Sequence, residues 1–478
     1  MTAAFPAEWV RPDNKLLLAG VCTLLAMLVA GPALFSIKLM SLVGPALLLA
    51  CFVLFSVRRT LLLLLVVNIV LPAKILMKLR LADLQPQETI FLVAVGFALV
   101  DLVYRRHLAV ERTEADVPAL AFLLVTLGSV AVGLLDGNPV TVILRDVRFP
   151  LYYGVFFLVT SFVDARSARQ QFPLAIVLAG LVVSGEYILE FMGAIDLSTG
   201  TRFFRVARLH GVVLPIALLL LVAQFLYDPK RYGRWLLVAL FLPIGLAFVL
   251  TVGRGMWVAF GVGLLTLVWL HHRAGGNRHP WRTAALAVSV VLVLGGTVFL
   301  FQRFTGAAVG AHALERSRTF VDYQRDIHVL GRLFSYSTAL ETIAEQPLLG
   351  HGQGATLTFP VFNAETSRFE MWTVWTLDSL YLMLLWKMGI VGLIAAAWLA
   401  LRILKLSYRN LIRAGDAGTR AFAAGTTAVL VAMYTFGLSD GSMVHGRFAL
   451  VFGALFGLVA VVARQPAAGS RPQSQHQA

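Results

Sequence analysis

The stretch LLLLLVVNIVL, from Leu61 to Leu71, decides the fold class, because Asn68 is its only polar residue. A strand of a membrane barrel alternates apolar and polar side chains, and this stretch does not. It fits a helix that crosses a bilayer, whose hydrocarbon core is about 30 Å thick. Comparable apolar blocks lie near residues 15–35, 39–57, 60–77, 89–104, 117–135, 149–163, 172–192, 209–227, 235–252, 256–271, 283–301, 380–404, 421–438 and 446–463. They predict an all-α polytopic membrane protein with about 12–14 transmembrane helices.

The composition excludes a soluble protein. Hydrophobic residues make up 59% and charged residues 14% of the 478 residues, whereas soluble domains contain about 45–50% and about 25%. The net charge of +15 is typical of basic loops on one side of a membrane, so we expect no nucleic-acid partner. Cys22 and Cys51 both lie inside apolar blocks, which favours packing residues over a disulfide.

Basic residues predict the topology. If the N-terminus is cytoplasmic, alternate loops carry the Lys and Arg residues that the positive-inside rule places in the cytoplasm. These residues are Arg58, Arg59, Arg105, Arg106, Arg112, Arg166, Arg169, Lys230, Arg231, Arg234, Arg273, Arg278, Arg282, Arg402, Lys405, Arg409 and Arg413. Both termini are then cytoplasmic.

The same pattern divides the chain into four parts. Transmembrane helices occupy residues 1–301 and 379–463, an external loop domain occupies 302–378, and a disordered cytoplasmic tail occupies 464–478. Within the loop, LFSYSTALETIAEQP has the apolar spacing of a helix that ends at Pro347. The glycines of LLGHGQGA predict a tight, irregular backbone after it.

Several arginines break the charge rule, because they lie in external segments. They are Arg145, Arg148, Arg202, Arg205, Arg208 and Arg254. An arginine at such a position is costly unless it snorkels, pairs or meets an anionic ligand. Snorkelling suits Arg202 and Arg208, but Arg254 lies between two glycines in a break between apolar blocks. Converging guanidinium groups would cradle a diphosphate.

Metal and nucleotide sites are not expected. The histidines lack the spacing of metal ligands, and VGRG and GHGQG are too short for nucleotide-binding loops. The sequence therefore predicts neither a metal nor a cofactor.

From Arg145 to Gly392 the chain resembles the bacterial O-antigen ligase and O-antigen polymerase superfamily of membrane glycosyltransferases. TVGRGMWVAFGVGLL resembles the helix-break motif of that family, with Arg254 as its arginine. RDVRFPLYY and RVARLHGVVLP are similar to its two earlier arginine-bearing segments. Arg332 followed by ALETIAEQPLLGHGQG resembles its long-loop motif.

The end of the loop departs from the family pattern. DSLYLMLLWKMGIVG matches the family spacing through Ser379, Gly389 and Gly392, but Asp378 replaces a histidine that is proposed to activate the acceptor. An aspartate can also act as a general base. Asp378 could equally cap the following helix, and His351 is then the next candidate for the missing histidine.

The resemblance implies a GT-C-like fold and inverting transfer from an undecaprenyl-diphosphate-linked glycan, at the periplasmic face of a bacterial inner membrane. It implies that Arg145, Arg148, Arg205, Arg254 and Arg332 bind the diphosphate and donor, and that Arg254, Asp378 and His351 are catalytic candidates. The acceptor is a growing glycan for a polymerase, which we favour, or lipid A core for a ligase. Membrane lipids and other polysaccharide assembly proteins are further expected partners. A lipid-linked-oligosaccharide flippase and an assembly scaffold remain alternatives.

Overall fold

A computed structural model describes residues 56–72, 75, 85–105, 112–195, 209–251, 253–273, 280–305, 327–363, 368–444 and 446–464. The first two predicted transmembrane blocks and the cytoplasmic tail therefore lie outside the described residues, apart from the margins of these segments.

The described residues are almost entirely helical, which confirms the predicted all-α membrane class. In chain order the helices are α1 (Val57–Val70), α2 (Pro86–Arg105), α3 (Asp116–Leu135), α4 (Val140–Leu151), α5 (Val155–Phe162), α6 (Ala165–Phe191), α7 (Val213–Tyr227), α8 (Arg234–Leu250), α9 (Arg254–Arg273), α10 (Pro280–Thr305), α11 (Ile327–Glu345), α12 (Leu380–Arg413), α13 (Ala417–Phe436) and α14 (Phe448–Ala463). Short 3-10 turns, Tyr152–Gly154 and Leu209–Val212, precede α5 and α7.

Five helical segments in the described part of the chain are long and apolar enough to cross a membrane. They are α3, α6, α9, residues 288–305 of α10, and α12. Four shorter apolar segments accompany them, residues 86–99 of α2 and helices α7, α8 and α14. A helix that is apolar all round is buried or faces lipid. Helix α14 is buried along nearly its whole length, whereas α10 is mostly exposed and so presents its apolar side chains outward.

Ion pairs join the helix ends that carry the predicted cytoplasmic loops. Arg58 pairs with Asp164 at 2.8 Å, and Arg169 pairs with Asp416 at 2.8 Å. Both aspartates also cap helices, because Asp164 accepts the backbone N–H of Ser167 and Asp416 that of Thr419. Each pair thus connects a helix N-terminus to a neighbouring helix.

One segment differs from the prediction. Residues 149–163 were expected to form one transmembrane helix after an arginine-bearing turn, but Arg145 and Arg148 lie within α4, and a 3-10 turn separates α4 from α5. Pro150 lies in the last turn of α4. A proline there cannot donate to the carbonyl four residues earlier and clashes with it, so the helix is interrupted at this point.

A β-hairpin was not expected. Strands β1 (Leu357–Asn363) and β2 (Arg368–Val374) pair antiparallel, with Leu357 opposite Val374 and Asn363 opposite Arg368. The hairpin lies between α11 and α12 in the chain and leads directly to Asp378.

Candidate functional site

Arg254 begins α9, directly after the predicted break in the helices. Helix α8 ends at Leu250, and the Thr251 hydroxyl donates to the Phe248 carbonyl oxygen at 2.7 Å. A Cβ atom on Gly255 would lie 2.4 Å from the Ser439 hydroxyl oxygen. The start of α9 therefore packs closely against the loop between α13 and α14, and a larger residue at position 255 would displace the Ser439 side chain.

The described residues of that loop, 437–444 and 446–447, pack against the segment that contains Asp378. The backbone N–H of Leu380 donates to the Gly437 carbonyl at 2.8 Å, and a Cβ atom on Gly441 would lie 2.6 Å from the Leu377 carbonyl oxygen. The loop thus connects the helix break to the end of the long external segment. It also brings Asp440 close enough to Asp378 for the two carboxyl groups to interact electrostatically.

Asp378 pairs with Arg332, a contact that joins two predicted site residues. The Arg332 Nε donates to the Asp378 Oδ2 at 2.9 Å, and the Tyr336 hydroxyl donates to the Asp378 backbone carbonyl at 2.5 Å. Ser379, not Asp378, caps α12, because the Ser379 hydroxyl accepts the N–H of Leu382. The capping interpretation of Asp378 is therefore wrong, and its carboxylate is directed toward α11 instead.

The surroundings of Asp378 raise the pKa of three neighbouring groups, Asp440, Tyr336 and Arg332. Burial raises the pKa of Asp440, and the nearby Asp378 carboxylate raises it further against the opposing effects of Ser442 and Arg332. Burial also raises the pKa of Tyr336 to about 12. Burial tends to lower the pKa of Arg332, but the Asp378 carboxylate outweighs this and keeps it above its usual value. The site therefore holds a permanent cation, Arg332, which pairs with Asp378 and also interacts electrostatically with Asp440.

Sequence reasoning missed Asp440. The available signal was an acidic residue in the short segment SDGSMVHG, between two apolar blocks on the predicted external side. In the structure Asp440 accepts the backbone N–H of Ser442 at 2.7 Å.

The two arginines of α4 have partners of different kinds. The guanidinium carbon of Arg145 lies 3.9 Å from the ring centroid of Trp375, which precedes Asp378 by three residues. Such stacking leaves the N–H edges of a guanidinium able to meet an anion. Arg148 instead pairs with Glu88 of α2 at 2.7 Å, so a diphosphate would have to compete with that carboxylate.

A buried ion pair between Asp146 and Lys387, which sequence reasoning also missed, holds α4 against α12. Asp146 and Lys387 are almost fully buried, and the backbone N–H of Gly354 also donates to the Asp146 Oδ2 at 3.1 Å. Removing one member of such a pair leaves a buried charge without compensation. This contact fixes the helix that carries Arg145 and Arg148.

His351 lies in the glycine-rich loop, and its ring is already engaged. Its Nε2 is 2.8 Å from the Thr342 carbonyl oxygen, and its Nδ1 is 3.8 Å from Asp136. The Asn138 amide donates to the His351 carbonyl. These contacts anchor the loop between α3 and α11, so His351 holds the loop in place in this structure.

The remaining predicted site residue, Arg205, lies outside the described residues, as do Arg202 and Arg208. Among the residues that the structure describes, no three His, Cys, Asp or Glu side chains are grouped as a metal ion would require.

Comparison with protein families agrees with the sequence motifs. Residues 236–397 match the family described as O-Antigen ligase, whereas no curated protein matches the chain. The matched region contains Arg254, Arg332, His351 and Asp378. Members of this family are glycosyltransferase-like ligases and polymerases. Residues 236–397 are therefore similar to the O-Antigen ligase family, which agrees with the superfamily that the sequence motifs resemble.

Proposed function

We propose that this protein is an inverting membrane glycosyltransferase that polymerises a surface or secreted polysaccharide from an undecaprenyl-diphosphate-linked oligosaccharide donor. The observation that carries the proposal is the arrangement around Asp378, whose carboxylate is held by Arg332 at 2.9 Å. The loop that contains Asp440 connects this carboxylate to the helix break at Arg254. A cation at a helix break and a positioned carboxylate are the two groups that glycan transfer from a diphosphate requires.

The arginines serve the donor. Arg254, Arg145, Arg148, Arg205 and Arg332 are proposed to bind the diphosphate and donor, since planar guanidinium groups donate two parallel hydrogen bonds to phosphate oxygens. As the bond between the anomeric carbon and the phosphate oxygen breaks, negative charge accumulates on the departing diphosphate. Fixed cations stabilise that charge in the transition state. The diphosphate linkage is already activated, so no cofactor is needed.

The carboxylate serves the acceptor. Asp378 is proposed to accept the proton of the acceptor hydroxyl while the hydroxyl oxygen attacks the anomeric carbon from the face opposite the diphosphate, which inverts the configuration. The Asp378 side chain is about half exposed, at 59%, so an acceptor can reach it. His351 suits this role less well, because its Nε2 already contacts a carbonyl oxygen.

The proposed location is a bacterial inner membrane, with the site facing the periplasm. The ion-paired helix ends carry the basic loops, and the positive-inside rule assigns that end to the cytoplasm. Arg332 and Asp378 then belong to the external segment. Proposed partners are membrane lipids, the lipid-linked donor, a glycan acceptor and other proteins of polysaccharide assembly.

A gene deletion distinguishes the polymerase from its alternatives. With the polymerase absent, we expect surface glycan on gels to carry a single repeat unit. Unmodified lipid A core with accumulated lipid-linked polymer would indicate a ligase instead. Loss of all external glycan, with the lipid-linked repeat unit retained on the cytoplasmic side, would indicate a flippase. A scaffold would tolerate the loss of Arg254, whereas a transferase would not.

A further inference from the structure

The external end of helix α12 lacks an exposed apolar surface of its own. Between the start of α12 and Arg402, where its basic residues begin, the exposed apolar side chains extend from Ile390 to Leu401. The next exposed apolar residue, Ile412, follows the basic residues Arg402, Lys405 and Arg409 at the predicted cytoplasmic end. At 1.5 Å per residue the interval from Ile390 to Leu401 covers about 18 Å, whereas the hydrocarbon core is about 30 Å thick. From Leu380 to Gly389 no side chain of α12 is exposed. Another element must therefore cover about 12 Å of hydrocarbon on this side.

Helix α3 gives an independent measure of the level at which another element must cover the hydrocarbon. Arg402 Nε donates to the backbone carbonyl of Glu114 at 3.1 Å, so Arg402 of α12 lies level with the start of α3. Gln353 N–H donates to the Ser129 carbonyl at 2.9 Å, thirteen residues, or about 20 Å, after Asp116. Helix α3 continues to Leu135, about 9 Å further out. The loop before β1 thus contacts the bundle below its outer limit.

The segment at this level is Pro347–Leu349. The backbone N–H of Ile390 donates to the Pro347 carbonyl at 2.9 Å, and that of Val391 donates to the Leu348 carbonyl at 3.3 Å. Leu348 is 65% exposed and Leu349 is 56% exposed. Two large apolar side chains therefore extend the exposed apolar surface of α12 outward from Ile390.

Helix α11 continues that surface. Leu333, Leu340 and Ala344 are exposed and lie within about 40° of one another around the helix axis. The exposed Glu341 and Glu345 lie about 100° further round. The opposite face, with Ser335, Ala339 and Ile343, is buried against the protein. Leu333, Leu340 and Ala344 thus form an apolar stripe along α11. Ser337 also lies in this stripe, but its hydroxyl donates to the Phe334 carbonyl at 3.0 Å.

We infer that α11 is an interfacial helix, whose C-terminal half together with Leu348 and Leu349 lies among the acyl chains of the outer leaflet. Its occupant is bilayer lipid, because the apolar stripe is continuous with the lipid-facing surface of α12 and is bordered by carboxylates that remain in water. An interfacial helix places its apolar side chains at the boundary between head groups and acyl chains, while its charged side chains remain on the water side.

This placement sets the height of Arg332 and Asp378. Gly389 follows Leu380 by nine helical residues, or about 14 Å. Asp378 precedes Leu380 by two residues, which extended backbone spans in at most about 7 Å. Gly389 is about 20 Å above Arg402. The ion pair therefore lies at most about 10 Å beyond a hydrocarbon core of about 30 Å, close to the lipid head groups.

Spin labels at single cysteines test the inference. The native Cys22 and Cys51 are first replaced by serine, and labels are placed at Leu340, Ala344 or Leu348, with Glu341 and Glu345 as matched positions on the same segment. The protein is reconstituted in phosphatidylethanolamine and phosphatidylglycerol vesicles that contain no polyprenyl lipid. Accessibility to oxygen and to a water-soluble nickel chelate is measured by power saturation.

We expect the oxygen-to-nickel ratio to be several-fold higher at the three apolar positions than at the two glutamate positions, and highest at Leu348. Equal access of the nickel chelate to all five positions would overturn the inference. Protection from both reagents, with dipolar broadening that disappears on dilution with unlabelled protein, would overturn it in favour of a second copy of the chain.

A second measurement uses the wild-type chain, in case the labelled variants fold poorly. A phospholipid with a photoactivatable group in its acyl chain should attach to peptides spanning residues 340–349. Absence of that adduct, while α10 peptides are labelled, would also overturn the inference.

Discussion

Replacement of Asp378 by asparagine separates chemistry from structure at the candidate site. Asparagine keeps the shape of the side chain but cannot accept the acceptor proton. Loss of a general base lowers the rate by about 10²–10⁴-fold. The Arg332–Asp378 ion pair is partly exposed on both sides, at 39% and 59%, and such pairs contribute about 0.2–1 kcal/mol to stability. Activity should therefore collapse while the melting temperature changes little.

The helix cap supplies a matched control. Because Ser379 caps α12, Ser379→Ala should cost about 0.5–2 kcal/mol of stability. It should spare most of the activity of the folded fraction. Asp378→Ala should be no less stable than Asp378→Asn, since neither variant loses a cap. Asp136→Asn, which alters another carboxylate near the external loop, should leave activity near normal. Asp378→His restores the residue type of the family and should retain part of the activity.

The assay measures glycan transfer from synthetic undecaprenyl-diphosphate donor by purified variants in detergent, with melting temperatures recorded on the same samples. Near wild-type transfer by Asp378→Asn would remove Asp378 from the mechanism. Asp440→Asn would then be the next variant to assay. Equal losses of activity and stability in both Asp378 variants would assign the residue to structure alone.

Four further predictions follow from the same geometry. Arg254→Lys should lose nearly as much transfer activity as Arg254→Ala, because a point charge cannot donate two parallel hydrogen bonds to a diphosphate; near-normal glycan output by the Lys variant refutes this role. Burial raises the pKa of Asp440 above 3.8, so its ionisation costs stability increasingly as pH rises from that value. Asp440→Asn should accordingly raise the melting temperature at neutral pH, and a gain that persists unchanged near pH 4 contradicts the reasoning. Gly352→Ala should lower the melting temperature far more than Gly137→Ala, since both have positive φ but a Cβ atom on Gly352 alone would strike backbone, at 2.1 Å; similar losses would argue against tight docking of the loop. A cysteine replacing Met371 in β2 should react with an impermeant maleimide once the outer membrane is permeabilised. Reaction only after inner-membrane lysis would mean that this segment is cytoplasmic and the predicted topology is wrong.

The helical class could be predicted because it depends on composition over long blocks, and any single residue matters little. The helix ending before Pro347 and the break before Arg254 were also predictable, since proline and glycine act locally on the backbone. The α4 helix was not, because VTVILRDVRFP is too polar to resemble a membrane span. The polar residue Asp146 can be buried in this helix because it pairs with Lys387, 241 residues further along the chain.

The two aspartates of the site also show that contacts between distant residues could not be predicted from the sequence. Asp378 could be found because it replaces a histidine within a recognisable spacing. Asp440 belongs to no such motif, and its relation to Asp378 depends on a turn between α13 and α14 that packs beneath Leu377. Contacts of this kind join residues that are distant in sequence, so no local pattern reports them.

The glycine-rich loop and Gly389 of α12, which belong to separate motifs in the sequence, are in direct contact. Gly389 has φ 63° and breaks α12, which leaves backbone groups on both sides of the break without helical partners. The loop supplies them: Pro347 and Leu348 carbonyls accept N–H groups after the break, and the N–H of His351 donates to Trp386 before it, at 2.8 Å. The same loop directly follows the C-terminus of α11. Its contacts with the break in α12 therefore fix the direction of α11, and with it the position of Arg332 beside Asp378. The glycines therefore act on the proposed chemistry by positioning the loop, without contacting a ligand themselves.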